Sequence, residues 1–339
     1  MKKIHKNNLV YIGLAILLYY LQSIAGCGGK QIFSRTRMQM GTVVNIKLVA
    51  RNQSRADQGF QAAFEEIDRV ERKMSRLIKK SEIYKLNHLS LKGNSGYPVS
   101  DELYHLLERS QEYSRQTGFL FDFTMGRLTA LWGFEEGRES VPPADVISSF
   151  LTRSRQVELT GGQVYFSPAD TGFDLGAVAK GYGVDRAFSK LKEAGIENFI
   201  INAGGDIRAA GTKGQGRPWT IGIQNPRNNN GLIGSVQITG KAVVTSGDYE
   251  RFFMEKKVRY HHILDPRTGY PARGCRSVTV VAATAEQADA IATGIFVMGG
   301  KKGKIFLENR ADLEGIIIDS QGKRFISKGL IPLFHPVRQ

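Results

Sequence analysis

The chain has 339 residues, of which 41% are hydrophobic and 23% are charged, a globular balance that excludes a disordered or collagen-like protein. The formal net charge is +15, and since no basic run is interleaved with aromatic residues, the surplus favours anionic lipid or an anionic ligand over nucleic acid. Two cysteines are too few for a disulfide scaffold or a cysteine-rich zinc module.

Residues 1–26 are predicted to be a lipoprotein signal peptide that is not part of the fold. Three lysines among the first six residues form a positive n-region, and residues 9–21 form an uncharged apolar run too short to span a bilayer as a helix. The next segment, Ile24–Cys27, resembles a bacterial lipobox, in which the cysteine is acylated. We therefore expect an exported protein, lipid-anchored through Cys27 to a bacterial cell membrane, on the periplasmic side in a Gram-negative cell. An ordinary cleaved signal with a chance cysteine is the alternative.

The first half of the mature chain is predicted to be mainly helical. Residues 27–37 are expected to be a tether, and residues 38–339 a single domain. Alternating and β-branched residues predict a strand at Met38–Val49. Apolar residues on one face predict a helix from Ser54 to about Met74, and a second helix is expected from Ser100 to Gly118. The other expected pieces are a loop at 93–98, an extended segment at 119–123, and short helices ending near Trp132 and beginning at Pro142.

From about Val157 the pattern changes to short strands separated by glycine turns. The strands occur in neighbouring sets, without strict alternation of strand and helix. This favours an α+β fold with a mixed, largely antiparallel sheet core and flanking helices over a doubly wound nucleotide-binding fold. The predicted strands are 157–159, 164–166, 199–202, 207–209, 219–223, 235–238, 242–245, 260–264 and 278–282, and the predicted helices are 177–194, 285–297 and 301–309.

Two glycine-rich turns have features of an anion-binding site. Asp174–Gly183 opens a predicted helix, whose free N-terminal amides attract anions, and Lys180 adds a positive charge in the first turn. Its spacing fits neither a P-loop nor a dinucleotide-binding fingerprint. In Asn202–Asp206, the adjacent Gly204 and Gly205 allow a ligand to approach the backbone closely. Taken alone, each pattern is also compatible with a turn that binds nothing.

Two further segments contain side chains suited to catalysis or metal binding. His261 and His262 are adjacent in a predicted strand and point to opposite faces, which is poor geometry for the alternative of a zinc site with Asp265. Asp289 and Thr293 lie four residues apart on one face of a predicted helix. Their oxygens are hard ligands that suit Mg²⁺. The alternative is that Asp289 is solvated and the Thr293 hydroxyl bonds back to a helix carbonyl.

Taken together, these segments resemble the ApbE family of FAD:protein FMN transferases. The resemblance extends from about residue 38 to the end of the chain, and seven stretches occur in the family's order. One departure is Leu77, at a position where many members have an aromatic residue, and another is Arg127, where a small residue or proline is usual. The matching stretches are Met40–Thr42, Phe121–Thr124 with Leu131–Phe134, Asp174–Gly181, Asn202–Asp206, Thr245–Tyr249, His262–Gly269, and Asp289 with Thr293.

The resemblance implies a T-fold-related, ApbE-like architecture and a Mg²⁺-dependent enzyme that transfers FMN from FAD to a Ser or Thr of a target protein, releasing AMP. The implied acceptor is a membrane redox complex subunit with covalent FMN. Hydrolysis of FAD to FMN and AMP, or flavin binding without catalysis, are the alternatives.

The resemblance also implies roles for individual residues. The implied Mg²⁺ ligands are Asp289, Thr293 and the carbonyl of Ala177, and Lys180 would stabilise phosphate charge. His262 would be the general base, because an imidazole ordinarily titrates near pH ~6.5. The implied FAD-binding residues are Met40, Leu120, Phe121, Asp122, Asp174, Lys180, Gly204, Gly205, His262 and Ile263.

Overall fold

The structure, a computed structural model, describes residues 29–89, 95–135, 137–138, 140–151, 157–167 and 171–337. The predicted signal peptide and Cys27 lie outside the described residues. Within the described ranges, no helix is both long enough and apolar enough to cross a membrane.

Helices and strands alternate irregularly along the described chain. The helices are α1 Gln53–Met74, α2 Glu82–Asn87, α3 Asp101–Gln116, α4 Gly126–Trp132, α5 Ala144–Ser149, α6 Ala179–Glu193, α7 Ala285–Met298 and α8 Gly300–Glu308, with a 3-10 helix at Ile331–Leu333. The strands are β1 Gln31–Gln39, β2 Thr42–Ala50, β3 Ser95–Pro98, β4 Glu158–Thr160, β5 Gln163–Phe166, β6 Phe199–Ala203, β7 Asp206–Ala210, β8 Trp219–Asn225, β9 Asn228–Ile238, β10 Ala242–Gly247, β11 Phe252–Glu255, β12 Val258–His261, β13 Cys275–Ala282, β14 Glu314–Asp319, β15 Arg324–Ile326 and β16 Phe334–Pro336.

The central sheet has eight strands in the order β1-β2-β6-β7-β10-β13-β14-β15. Each pair of neighbours in this sheet is antiparallel, including the long pair of β10 and β13 in the middle. Side chains alternate between its two faces: Val244 packs among the residues of the main core, whereas the adjacent Val243 packs against a smaller sheet. The sheet is therefore buried on both sides around β10 and β13.

One face of the central sheet is covered by α1, α6 and α7, and the other by the three-stranded sheet β16-β9-β8. In α1, the apolar residues at helical spacing are buried, as the sequence predicted. They include Phe60, Phe64 and Ile67, which contact the sheet residues of the same core. The helical periodicity of α1 thus fixes its packing on the sheet.

Two smaller apolar clusters flank the main core. One joins the C-terminal part of α1 to α2, α3 and the sheet β3-β5-β4. The other surrounds the fully buried Trp132 of α4, whose ring stacks on Phe134 and Tyr260 with centroids 5.7 Å and 5.8 Å away. This second cluster attaches the β11–β12 hairpin to α4 and α5.

The N-terminal end of the described chain corrects two predictions. Gln31–Arg37, predicted to belong to a tether, forms most of β1 and pairs with β2. The predicted single strand Met38–Val49 is instead the end of β1, a turn at Met40-Gly41, and β2. β1 is an edge strand whose side chains are mostly exposed, so its sequence lacks the buried apolar alternation on which the prediction relied.

Candidate active site

A cavity of about 810 Å³ opens between the central sheet, α1, α4, α6 and α7. This volume lies within the usual range of small-molecule sites, roughly 300–1,000 Å³. Gly205 is the one predicted FAD contact that does not line it. The predicted site residues that do are Met40, Leu120, Phe121, Asp122, Asp174, Ala177, Lys180, Gly204, His262, Ile263, Asp289 and Thr293.

Two tight turns form one wall of the cavity. Met40 and Gly41, between β1 and β2, both have positive φ, at +52° and +65°. Gly204, between β6 and β7, has φ +59°, and a Cβ there would lie 2.3 Å from the Thr42 hydroxyl oxygen. Glycine is therefore required at position 204 by both its backbone conformation and the closeness of the two turns. Gly205 stabilises this turn instead of lining the cavity, since its N–H donates to the side-chain oxygen of Asn202 at 2.9 Å.

Close packing of α6 against α7 brings their functional side chains together. A Cβ on Gly181 of α6 would lie 2.3 Å from the carbonyl oxygen of Ala285, so only glycine fits at this contact. One turn later, Asp185 accepts hydrogen bonds from the N–H groups of Ala285 and Glu286, both at 2.9 Å. A carboxylate from α6 thus caps the first turn of α7 and fixes the position of Asp289 relative to Lys180.

Lys180 lies between two buried carboxylates. Its Nζ is 2.8 Å from Asp206 Oδ2 and 3.6 Å from Asp289 Oδ2, and the latter oxygen also accepts the N–H of Gly181 at 3.2 Å. Burial opposes the charge of Lys180, but Asp206 and Asp289 outweigh it and raise the lysine pKa above its ordinary value. Burial and then the charge of Asp289 raise the pKa of Asp206 well above the usual range. The two acids thus hold the Lys180 ammonium group in place and favour its charged form.

Asp206 is a site residue that the sequence reasoning missed. The glycines of the turn Asn202–Asp206 indicate a place where a ligand can approach the backbone, whereas the local sequence assigns no role to the acid that ends the turn. In the structure that acid is 1% exposed and provides the hydrogen-bond acceptor for Lys180. A carboxylate directly after two adjacent glycines is the available signal, but its partner lies 26 residues away and is visible only in the fold.

The oxygens of α7 fit a magnesium ion better than zinc. The Asp289 side chain and the Thr293 hydroxyl line the cavity together with Ala177, and Ser246 Oγ lies 3.3 Å from Thr293 Oγ1. No group of three His, Cys, Asp or Glu side chains suited to a metal occurs in the part of the chain that the structure describes. A donor set of one carboxylate with neutral oxygens suits Mg²⁺, which commonly keeps waters and substrate phosphates as its remaining ligands.

The geometry does not support the zinc alternative at the adjacent histidines. His261 is 2% exposed, its Nε2 donates to the carbonyl of Ala272 at 2.8 Å, and its Nδ1 accepts the N–H of Ile263 at 3.3 Å. Both of its nitrogens are thus engaged, and Asp265 is paired with Arg267 at 2.6 Å. The two histidines have different surroundings, since His262 lines the cavity and His261 packs against Phe296. The predicted reason, alternation within one strand, is wrong, because β12 ends at His261 and His262 lies just beyond it.

The expectation that His262 titrates near neutral pH is wrong. Burial, followed by the nearby His261 and the positive charge of Arg251, lowers its pKa to about 3. The ring is therefore neutral at physiological pH, which is the form that accepts a proton. Its Nδ1 lies 3.4 Å from the carbonyl oxygen of Arg251, to which it donates, so Nε2 is the nitrogen left to accept.

The cavity has a charged rim that the sequence reasoning did not identify. Arg76, Glu135 and Arg251 line the cavity, and Glu135 forms ion pairs with both arginines. The neighbouring Leu77, which departs from the family's usual aromatic, also lines the cavity and is 50% exposed. Arg127, the other departure, is not a lining residue, and its Nε donates to the carbonyl of Thr171 at 3.4 Å.

Comparison with known proteins gives consistent matches over most of the chain. The family model described as "ApbE family" matches residues 40–317. The FAD:protein FMN transferase of Treponema pallidum is 30% identical over 351 residues, covering 96% of each chain. A protein of the same name from Klebsiella pneumoniae is 33% identical, covering 85% of this chain and 89% of its own.

Solved structures of proteins named ApbE have the same fold as this chain. The ApbE protein of Thermotoga maritima superposes with a TM-score of 0.81 at 33% identity, covering 89% of this chain and 99% of its own. The flavin transferase ApbE of Vibrio cholerae gives a TM-score of 0.79 at 29% identity, covering 90% of this chain and 100% of its own. The fold is thus the α+β architecture that the sequence predicted, and the curated relatives are transferases. The chain belongs to the ApbE family.

Proposed function

We propose that this protein transfers FMN from FAD to a Ser or Thr hydroxyl of a target protein in a Mg²⁺-dependent reaction. The hydroxyl oxygen forms a bond to the FMN phosphorus, the bond between that phosphorus and the bridging oxygen breaks, and AMP leaves with that oxygen. The observation that supports this most is the meeting of Lys180, Asp289 and His262 in one cavity. The names of the relatives in T. pallidum and K. pneumoniae point to the same reaction.

Phosphoryl transfer depends mainly on positioning and on neutralising charge, and this cavity has groups for both. Lys180 lies in the first turn of α6, whose N-terminal amides add a partial positive charge. Asp206 and Asp289 fix the Lys180 ammonium group, so little reorganisation is needed when negative charge develops on a phosphate.

The Asp289 carboxylate, the Thr293 hydroxyl and the Ala177 carbonyl would hold the magnesium ion. When bound, the ion supplies charge neutralisation at the pyrophosphate oxygens. Asp289 is 3% exposed, and its helix is fixed to α6 by the Asp185 cap, so its carboxylate is already positioned before any ligand enters.

His262 accepts the proton of the acceptor hydroxyl at Nε2. The ring is neutral in the free protein, partly because Arg251 and Lys180 face it. The pyrophosphate of FAD is an anion that offsets these two cations, so its binding raises the pKa of the ring and makes it a stronger base. FAD binding and base strength are thereby coupled in one site.

The proposal is tested by incubating the purified protein with FAD and Mg²⁺, with and without a candidate acceptor such as a membrane redox complex subunit. We expect flavin linked to the acceptor, and none when its target Ser or Thr is replaced by Ala. Free FMN alone would favour FAD hydrolysis, and unchanged FAD would favour a non-catalytic flavin-binding protein. Asp289→Asn should abolish transfer, whereas Asp312→Asn, at a solvent-exposed acid paired with Arg310, should not.

We further propose that the protein is exported and lipid-anchored through Cys27 to a bacterial membrane. The support is the charged and apolar pattern of residues 1–26 together with the lipobox-like Ile24–Cys27. An acceptor within a membrane complex is consistent with this location.

A further inference from the structure

One carboxylate and two guanidinium groups form a chain of ion pairs across the rim of the cavity. Glu135 Oε2 lies 2.6 Å from Arg76 Nη2, and Glu135 Oε1 lies 2.9 Å from Arg251 Nη1. The side chains of Arg76, Glu135 and Arg251 are 9%, 26% and 37% exposed, compared with 4% for Asp289 at the base of the cavity. These three residues form a rim triad.

The rim triad joins three separate parts of the fold. Arg76 follows the end of α1, Glu135 follows α4, and Arg251 lies between β10 and β11. Each lines the cavity, so the two ion pairs connect three separate parts of its wall.

Both arginines also border the region that is suited to phosphate. Arg76 Nε is 3.6 Å from Asp174 Oδ2, in the turn that leads into α6. Arg251 is close enough to Lys180 and His262 to affect the charge of both. Arg76 therefore lies beside the segment that leads into α6, and Arg251 acts on Lys180 in the first turn of that helix, where an anion is already favoured.

We propose that Arg76 and Arg251 form a binding site for the diphosphate part of the substrate, and that Glu135 occupies this site until the substrate displaces it. The identity of the anion rests on the proposed function. In the free protein, the Glu135 carboxylate is an internal competitor that mimics the incoming anion. Arginine suits this role because its planar donors bind carboxylate and phosphate in the same geometry.

The exchange costs little at Arg251, because the Arg251–Glu135 pair is partly exposed to solvent and such pairs contribute little to stability. At Arg76, whose side chain is only 9% exposed, a substrate oxygen must replace Glu135 as the partner, because an unpaired buried guanidinium group is costly. A diphosphate also carries more negative charge than a single carboxylate and presents more acceptor oxygens to two guanidinium groups. The alternative role for Glu135 is to position the two arginines for the substrate. Removing the Glu135 charge should strengthen anion binding if Glu135 competes with the substrate, and weaken it if Glu135 positions the arginines.

The test is the affinity of the full chain for inorganic pyrophosphate and for ADP, measured by calorimetry without acceptor or magnesium. Glu135→Gln should bind both anions about two- to fivefold more tightly, because the competing charge is removed. Arg76→Gln should bind both about tenfold more weakly. Riboflavin, which is uncharged, should bind all variants equally, and equal unfolding midpoints should show that each variant is folded.

Asp57→Asn is the matched control, since Asp57 pairs with Arg35 at 2.6 Å on the surface and does not line the cavity. It changes the net charge as Glu135→Gln does, so an equal gain in affinity in both variants would attribute the effect to overall charge and overturn the proposal. Weaker or unchanged binding by Glu135→Gln would overturn it as well. Because anion binding is measured without transfer, the two proposals are tested separately. The rim triad proposal can be overturned while transfer is observed, and it can be supported while transfer is not.

Discussion

At the scale of single residues, the two adjacent histidines show how much the surroundings decide chemistry. His261 is locked by two hydrogen bonds and packs against Phe296. His262 lines the cavity and has one ring nitrogen free to accept a proton. The sequence predicts that the two side chains diverge, but the cations that lower the pKa of His262 come from α6 and the β10–β11 connection, which only the fold brings near.

Replacing His262 should separate catalysis from binding. General-base contributions are typically ~10²–10⁴-fold in rate, so His262→Ala should slow transfer by about that factor while FAD affinity changes only a few fold. The measurement is the rate at saturating FAD and acceptor, beside a binding titration. His105→Ala is the control, since His105 is exposed on α3 and lies outside the cavity, whereas His261→Ala would disturb a buried hydrogen-bonded ring. A normal rate with weakened FAD binding would assign His262 to packing.

The protonation of His262 should respond to anion binding. In the free protein its pKa is lowered to about 3, so the ring stays neutral as the pH falls through ~6.5, where an ordinary imidazole becomes charged. Adding ADP should raise this pKa, because the anion offsets Arg251 and Lys180. The measurement is an NMR titration of the histidine ring signals against pH, with and without ADP. The signal of His262 is the one that is missing from the His262→Ala variant. A free-protein pKa near 6.5, unmoved by ADP, would contradict the electrostatic coupling.

At the scale of elements, patterns visible in local sequence predicted the long helices well and several strands poorly. α3 begins at the predicted cap, Ser100, and α7 runs over nearly the predicted residues. In contrast, β14 was missed because a short buried run such as Glu314–Asp319 has no periodicity that distinguishes strand from helix. The loop predicted at 93–98 ends in β3, whose partner β5 is distant in sequence. Pairing between distant segments is a property of the fold.

The contact between α6 and α7 should be intolerant of a single added methyl group. In Gly181→Ala, the new Cβ would lie 2.3 Å from the Ala285 carbonyl oxygen, so the helices must separate. We expect destabilisation by roughly 1–3 kcal/mol and a large loss of transfer, because Asp289 moves away from Lys180. Ser189→Ala on the same helix should change little, since its hydroxyl donates to the carbonyl of Asp185 within α6. Denaturant unfolding and transfer assays compare them, and a fully stable, active Gly181→Ala would refute the packing argument.

At the scale of the whole molecule, the seven motifs and their order along the chain predicted the α+β fold and most residues of the cavity. No single motif alone was sufficient for this. The members of the predicted site come from six separate parts of the chain, and apart from Gly205 they line one cavity. What local sequence did not predict are the ionic partners of those residues, such as Asp206 for Lys180 and Glu135 for Arg251. Ion pairs leave no periodic trace in a sequence.

The location of the molecule should depend on one residue outside the described structure. Cys27→Ser removes the thiol on which lipid attachment depends, so the protein should appear in the soluble exported fraction or stall in processing. Cell fractionation with metabolic labelling by a fatty acid gives the readout, and Cys275→Ser, at a buried cysteine, is the control. A Cys27→Ser protein that is processed and membrane-bound like the wild type would show that the anchor is elsewhere.

β1 runs between the predicted site of lipid attachment and the cavity. Its first residue, Gln31, lies four positions after Cys27, and its far end turns into the cavity at Met40. Nine residues of strand span about 30 Å at the usual rise per residue. If the protein is anchored at Cys27, we expect β1 to separate the anchored end of the domain from the cavity by about that length, so that acceptor hydroxyls presented near that distance are modified. Acceptors with the target Ser or Thr on stalks of graded length would measure this reach, and modification independent of stalk length would show that β1 does not set it.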